Sequence, residues 1–172
     1  LIYGKKYPIT KSLDDGTNYF VHKTLESRIA ALLSAPLVHQ PGEKWHYGGG
    51  IDLLALIIQK VSKQSIPNYL TENIFLPLGM DETGYNIDEK ALERVMSVHK
   101  LNWSYELKLG ENQPPRTGNT LYGGTHGLYS TALDYLKFCH MLINGGKLNG
   151  QRVLKKKTVD LMKINRVGST YS

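Results

Sequence analysis

The segment between residues 51 and 61 constrains the fold more than any other. Behind Gly48-Gly49-Gly50, the residues Leu53, Leu54, Ile57, Ile58 and Val61 recur at the three- and four-residue spacing of a helix. A stripe of that width demands a packing partner, so the chain has to be a layered domain built around helices. The three glycines sit at the N-terminal entry of this helix and allow two readings: a simple flexible turn, or a place where the backbone passes close to something. A phosphate cradle is the poorer third, since neither a G-x-G-x-x-G spacing nor a P-loop lysine accompanies them.

Other stretches supply candidate partners for the stripe. Thr24 can cap a helix carrying Leu25, Ile29, Leu32 and Leu33, which Pro36 stops. Ser65 can cap another holding Ile66, Tyr69, Leu70 and Ile74, with Pro67 tolerated in its first turn and Pro77-Gly79 ending it. Residues 81 to 92 read as a turn and a short helix. From 93 to 122 the pattern is weak: Val95, Val98 and Leu101 hint at a strand or turn, and Gly110 to Gly118, with Pro114-Pro115, is loop. Then Thr131 with Asp134 resembles a capping box before Leu133, Leu136, Phe138, Met141, Leu142 and Ile143, and Gly145-Gly146 ends that helix. A short segment from Leu148 to Val153 and a last helix from Thr158 to Ile164 follow. Helix outweighs strand, and no internal repeat is visible.

Composition narrows the function classes. With 41% hydrophobic and 21% charged residues in 172 positions, the chain can bury a core and is neither disordered nor fibrous. Its formal charge of +6 is spread thinly, Lys155-Lys156-Lys157 being the only run, so nucleic acid is not an expected partner. No apolar run approaches the ~20 residues that cross a bilayer. The lone Cys139 excludes a disulfide scaffold and reads as a buried thiol. His22, His39, His46, His99, His126 and His140 show no ligand pairing, so neither a metal nor another cofactor is expected. The beginning at Leu1-Ile2-Tyr3-Gly4 and the polar end at Gly168 to Ser172 read as the edges of a piece of something longer, and say nothing about compartment or oligomeric state.

One local match to nucleophile chemistry exists. Ser97-Val98-His99-Lys100 has the form Ser-x-x-Lys, in which a lysine one helical turn away activates a serine. Ser97 lies in the weakly patterned region, whereas such a serine needs the first turn of a strongly apolar helix, and about one match is expected by chance in a chain of this kind. It is not taken as a nucleophile.

Three stretches read together carry a resemblance. Pro41-Gly42-Glu43-Lys44-Trp45-His46-Tyr47 with Asp52 to Ile58, then Asn73-Ile74-Phe75-Leu76-Pro77-Leu78-Gly79-Met80-Asp81-Glu82-Thr83-Gly84, then Gly123-Gly124 through Gly127-Leu128-Tyr129-Ser130-Thr131-Ala132 with Asp134-Tyr135 and Asn144-Gly145-Gly146, resemble the class C β-lactamase-like serine hydrolases. That family includes penicillin-binding-protein-like peptidases and β-lactamase-fold esterases. The resemblance implies the α+β β-lactamase/DD-peptidase fold, of which residues 1–172 would be a single α-rich region with a few short strands, truncated at both ends. It implies Tyr47 as general base, with Gly48, Gly49 and His126 in the substrate cleft and a small-molecule ester or amide as substrate, cleaved through an acyl-enzyme.

Two departures follow from the same comparison. Gly49 stands where the family's Tyr-x-Asn has asparagine, which favours an ester over a β-lactam or D-alanyl peptide. The family's upstream Ser-x-x-Lys and downstream Lys-Thr-Gly-like strand are not among these residues, so the chain by itself is expected to be inactive. The competing readings are a β-lactamase or D-alanyl peptidase, and a non-catalytic helical binding module. Trp45 reads as core or cleft wall, and His126 equally as a cleft or a plain loop residue.

Overall fold

Three of the helices begin where a hydroxyl side chain, that of Thr24, Ser65 or Thr131, accepts an open amide of the first turn. The computed structural model describes residues 22–34, 36–37, 39–45, 48–110, 116–166 and 168. Helix α1 (Leu25–Leu33) starts at Thr24, whose Oγ1 accepts the Ser27 amide at 3.2 Å, and ends at Ser34 ahead of Pro36. Helix α2 (Gly50–Ser62) is capped by Gly49 and closes on Lys63 in a left-handed conformation, φ 60°.

Helix α3 (Ile66–Leu70) starts at Ser65, whose Oγ accepts the Asn68 amide at 3.4 Å. It does not stop there. A π turn (Thr71–Phe75) leads into the short α4 (Leu76–Leu78), so Pro77 lies inside the last turn and the stop is Gly79, φ 65°. The wider turn gives the proline ring the room that a regular turn would deny it against the carbonyl of Asn73.

A 3₁₀ turn (Glu89–Arg94) follows, and then a hairpin that the sequence only hinted at. Strands β1 (His99–Leu101) and β2 (Leu107–Leu109) pair antiparallel, with Leu101 opposite Leu107 and His99 opposite Leu109. Helix α5 (Ala132–Ile143) starts at Thr131, whose Oγ1 accepts the Asp134 amide at 3.2 Å. It ends as Gly146 donates to Met141 O at 2.8 Å. A second small hairpin, β3 (Lys147–Leu148) with β4 (Gln151–Arg152), precedes α6 (Lys156–Met162), which begins two residues earlier than the sequence pattern suggested.

Two apolar clusters hold these elements. Leu25, Ile29 and Leu32 of α1 pack with Ala55, Ile66, Tyr85 and Leu121, and Phe75, Leu78 and Met80 close around Met141 of α5. The stripe on α2 is placed differently from expectation. The helix buries Asp52 and Ala55, while Leu54, Ile57 and Val61 remain exposed among the described residues. Cys139 is half-buried rather than enclosed, and Trp45 is 45% exposed.

Met141→Ala should therefore cost about 2–5 kcal/mol, because its fully enclosed side chain leaves a cavity that Phe75 and Leu78 cannot fill. At Gly146, φ 90°, an added Cβ would lie 2.1 Å from the Leu154 carbonyl oxygen, whereas at Gly150, φ 82°, it would meet open space. Urea denaturation should rank Gly146→Ala well below Gly150→Ala in stability; equal midpoints would contradict the packing around Gly146.

Candidate active site

Asp52 occupies the first turn of α2 with its side chain fully enclosed. Its Oδ2 accepts Arg28 Nε at 2.9 Å, and its Oδ1 accepts the Gly124 amide at 2.8 Å, the Thr125 amide at 3.0 Å and Thr125 Oγ1 at 2.9 Å. Arg28 projects from the core face of α1 and is 3% exposed. One carboxylate thus ties α1 and α2 to the segment from Gly123 to Ser130.

That segment is fixed at its other end as well. Gly84 and Tyr129 exchange both backbone hydrogen bonds, at 3.0 and 2.8 Å. Asp134 Oδ2 accepts the Glu82 amide at 2.8 Å and Thr83 Oγ1 at 2.9 Å, its Oδ1 accepts Lys137 Nζ at 2.9 Å, and Thr83 Oγ1 meets Ser130 Oγ at 2.8 Å. The Tyr85 hydroxyl donates to Gly123 O at 2.6 Å, with its ring edge-on to Tyr122. Thr131 and Asp134 are therefore only half a capping box: the hydroxyl caps the helix, and the carboxylate serves the turn at Glu82 and Thr83.

Burial pushes the Asp52 carboxyl up, but hydrogen bonds from Arg28 and Thr125 and the Arg28 charge outweigh it and hold Asp52 below the ordinary carboxylate range. Asp134 shows the same balance: burial raises it, and Lys137, the Glu82 amide and Thr83 bring it down. Both are anions at neutral pH, held by oriented donors.

Between the two anchors, the segment forms one wall of a cavity of about 550 Å³. Leu54 and Ile58 of α2, Ile66 and Leu70 of α3, and Tyr85 make its apolar lining, and Thr125 and His126 contribute polar atoms. The wall comes close because position 124 has no side chain: a Cβ there would lie 2.4 Å from Ile51 O. Gly124 thus has a packing reason.

Of the residues the sequence singled out, Gly49 is buried as the cap of α2, Gly48 is half-buried, and His126 is exposed beside the cavity. The structure thus brings the entry of α2 and the His126 segment together. Tyr47 lies outside the described residues. Ser97 lies in irregular backbone and Lys100 in β1, so the helical turn that Ser-x-x-Lys requires does not join them. Periodicity missed Arg28, Asp52, Tyr85 and Asp134, although a signal was present: Arg28 interrupts the apolar row of Leu25, Ile29 and Leu32, and Asp52 lies three residues before the buried Ala55.

A family model described as Beta-lactamase matches residues 5–171. A Mycobacterium tuberculosis protein is 34% identical over 140 residues, covering 81% of this chain and 35% of that protein. A lovastatin esterase of Penicillium rubens is 29% identical over 147 residues, covering 81% and 35%. The solved structure of unliganded simvastatin synthase from Aspergillus terreus superposes with a TM-score of 0.73 at 23% identity, covering 97% of this chain and 40% of that one. The chain belongs to the β-lactamase family of serine hydrolases and acyltransferases, and its helix-rich structure is part of the β-lactamase/DD-peptidase fold. It spans about a third of the length of the curated relatives it matches.

Asp52→Ala and Arg28→Ala each break the buried pair and should each cost about 3–5 kcal/mol, while the double variant should cost less than the sum. Additive losses in urea denaturation would show the pair to be uncoupled. The pH dependence has a definite sign. Both carboxyls titrate lower folded than unfolded, so their stabilisation is complete above the unfolded value near 4 and is lost as the pH falls from there through the folded values. Stability measured from pH 7 to pH 2 should drop below about pH 4 and drop less steeply in Asp52→Asn.

Proposed function

We propose that this chain is the helical part of a serine hydrolase that transfers an acyl group from an ester or amide through an acyl-enzyme, and that it supplies the general base, Tyr47. Two residues after this tyrosine in the sequence, the buried Gly49 caps α2, whose first turn is held to the 123–130 segment by the Asp52 hydrogen bonds. Near a lysine ammonium the phenolate form of the tyrosine is favoured, and it can take the proton of a serine hydroxyl and return it to the leaving group. The serine and lysine would come from residues beyond these 172, so this chain alone would not turn over a substrate.

The observation that carries this reading is the clamp at Asp52. It brings the helix that follows the Tyr47 loop against the Gly123–Ser130 segment, with an apolar cavity between them. An apolar wall suits an acyl group, and the lovastatin esterase and simvastatin synthase among the similar proteins carry acyl chemistry in their names. An ester is the preferred substrate over a β-lactam or D-alanyl peptide. Gly49, with no side chain, offers no amide to the carbonyl of either.

In the full-length enzyme, Tyr47→Phe should lower kcat on a p-nitrophenyl ester by at least about a hundredfold with little change in KM. Retained kcat would remove Tyr47 from the mechanism. Faster turnover of a chromogenic cephalosporin than of the ester would reverse the substrate preference. Treated by itself with a fluorophosphonate, the present chain should form no adduct, and stoichiometric labelling of Ser97 would contradict both the fragment reading and the placement of the nucleophile.

A further inference from the structure

The hairpin β1–β2 stands apart from both cores. Every residue of its two strands is exposed. Leu101, Trp103, Tyr105, Leu107 and Leu109 alternate with Asn102, Ser104, Glu106 and Lys108. In the paired strands this period of two puts Leu101, Leu107 and Leu109 on one face together with His99, and Lys100 opposite Lys108 on the other. Trp103 at the tip is 102% exposed and Tyr105 85%. Among the described residues nothing covers this face, and a lone two-stranded hairpin with an exposed apolar face is marginal in water, so the arrangement calls for a cover.

The tip is held by its own hydrogen bonds. Asn102 organises it: its Oδ1 accepts the Ser104 amide at 2.9 Å and the Glu106 amide at 2.8 Å, and its carbonyl accepts the Tyr105 amide at 3.1 Å. Its Nδ2 donates to Glu106 Oε2 at 2.9 Å, and Lys108 Nζ lies 3.9 Å from the same carboxylate oxygen. The amides of Ser104, Tyr105 and Glu106, satisfied within the turn, lose little when water is withdrawn, which lowers the penalty for burying them.

We propose that this hairpin inserts tip-first into the headgroup region of an anionic lipid surface, a role independent of the acyl-transfer reading. Trp103 and Tyr105 enter at the depth where such rings partition, the three leucines follow, and Lys100 and Lys108 reach the phosphates along their own stems. Charge separates this occupant from a second copy of the chain. Lys100 and Lys108 face one another as like charges on a chain of net +6, so another copy would present the same cationic rim, whereas anionic headgroups neutralise it.

Within these 172 residues Trp45→Phe leaves Trp103 as the single tryptophan, and in that variant of the present chain its emission reports the tip directly. With phosphatidylcholine vesicles containing about 30% phosphatidylglycerol at low salt, the emission should shift to shorter wavelength and the chain should sediment with the vesicles. Replacing Trp103 and Tyr105 together by Ser, both being exposed and outside the cores, should weaken partitioning at least about tenfold without altering the circular dichroism. Lys100→Gln with Lys108→Gln should weaken it on the anionic vesicles only. No shift and no sedimentation would overturn the proposal, as would undiminished binding of the double serine variant. A lipid-free shift that grows with protein concentration would also overturn it, in favour of self-association.

Discussion

The carboxylate of Asp52 is the constraint on which the rest of the structure depends. It is fully enclosed, and its four close donors come from two places distant in sequence, Arg28 on α1 and the Gly124–Thr125 turn. A buried ion pair adds little net stability over an apolar packing of equal volume, but removing one partner is costly. Its effect is to specify: few other placements of the 123–130 segment would satisfy Oδ1 three times. Asp134 repeats the device at the far end, where it serves α5 and the turn at Glu82 and Thr83.

A segment pinned at both ends can present groups at fixed positions without a thick core beneath it. Thr125 at the first anchor and His126 just after it stand against an apolar wall from α2 and α3, and Gly124 lets the backbone come against Ile51. Geometry fixed in this way is set before any ligand arrives. The exposed residues Leu54, Ile57 and Val61 on α2 show how much apolar surface the described elements leave open, in a chain that spans about a third of its curated relatives' length.

Local signals were legible and long-range ones were not. Thr24, Ser65 and Thr131 could each be read as helix caps because a cap and its amide lie three residues apart. The family could be read because its motifs fall in order along the chain, and the Beta-lactamase match over residues 5–171 agrees. The role of Asp52 could not, since its partners are 24, 72 and 73 residues away and no periodicity links them. The π turn escaped because Pro77 is ordinarily a stop. The hairpin is only hinted at for a different reason: the sequence alternates from Leu101 to Leu109, but the apolar residues of β1 and β2 are exposed and belong to no core pattern.

Hydrogen exchange of the Gly124 and Thr125 amides, followed by NMR, tests the clamp most directly. Both sit near the surface, on residues that are exposed and half-buried, so nothing but the bond to Asp52 Oδ1 should slow them. Protection comparable to that of the α1 and α5 amides, collapsing in Asp52→Ser, is the expected result. Exchange at the rate of an open loop in the unaltered chain would mean that Asp52 does not hold the segment, and that the site is not preorganised.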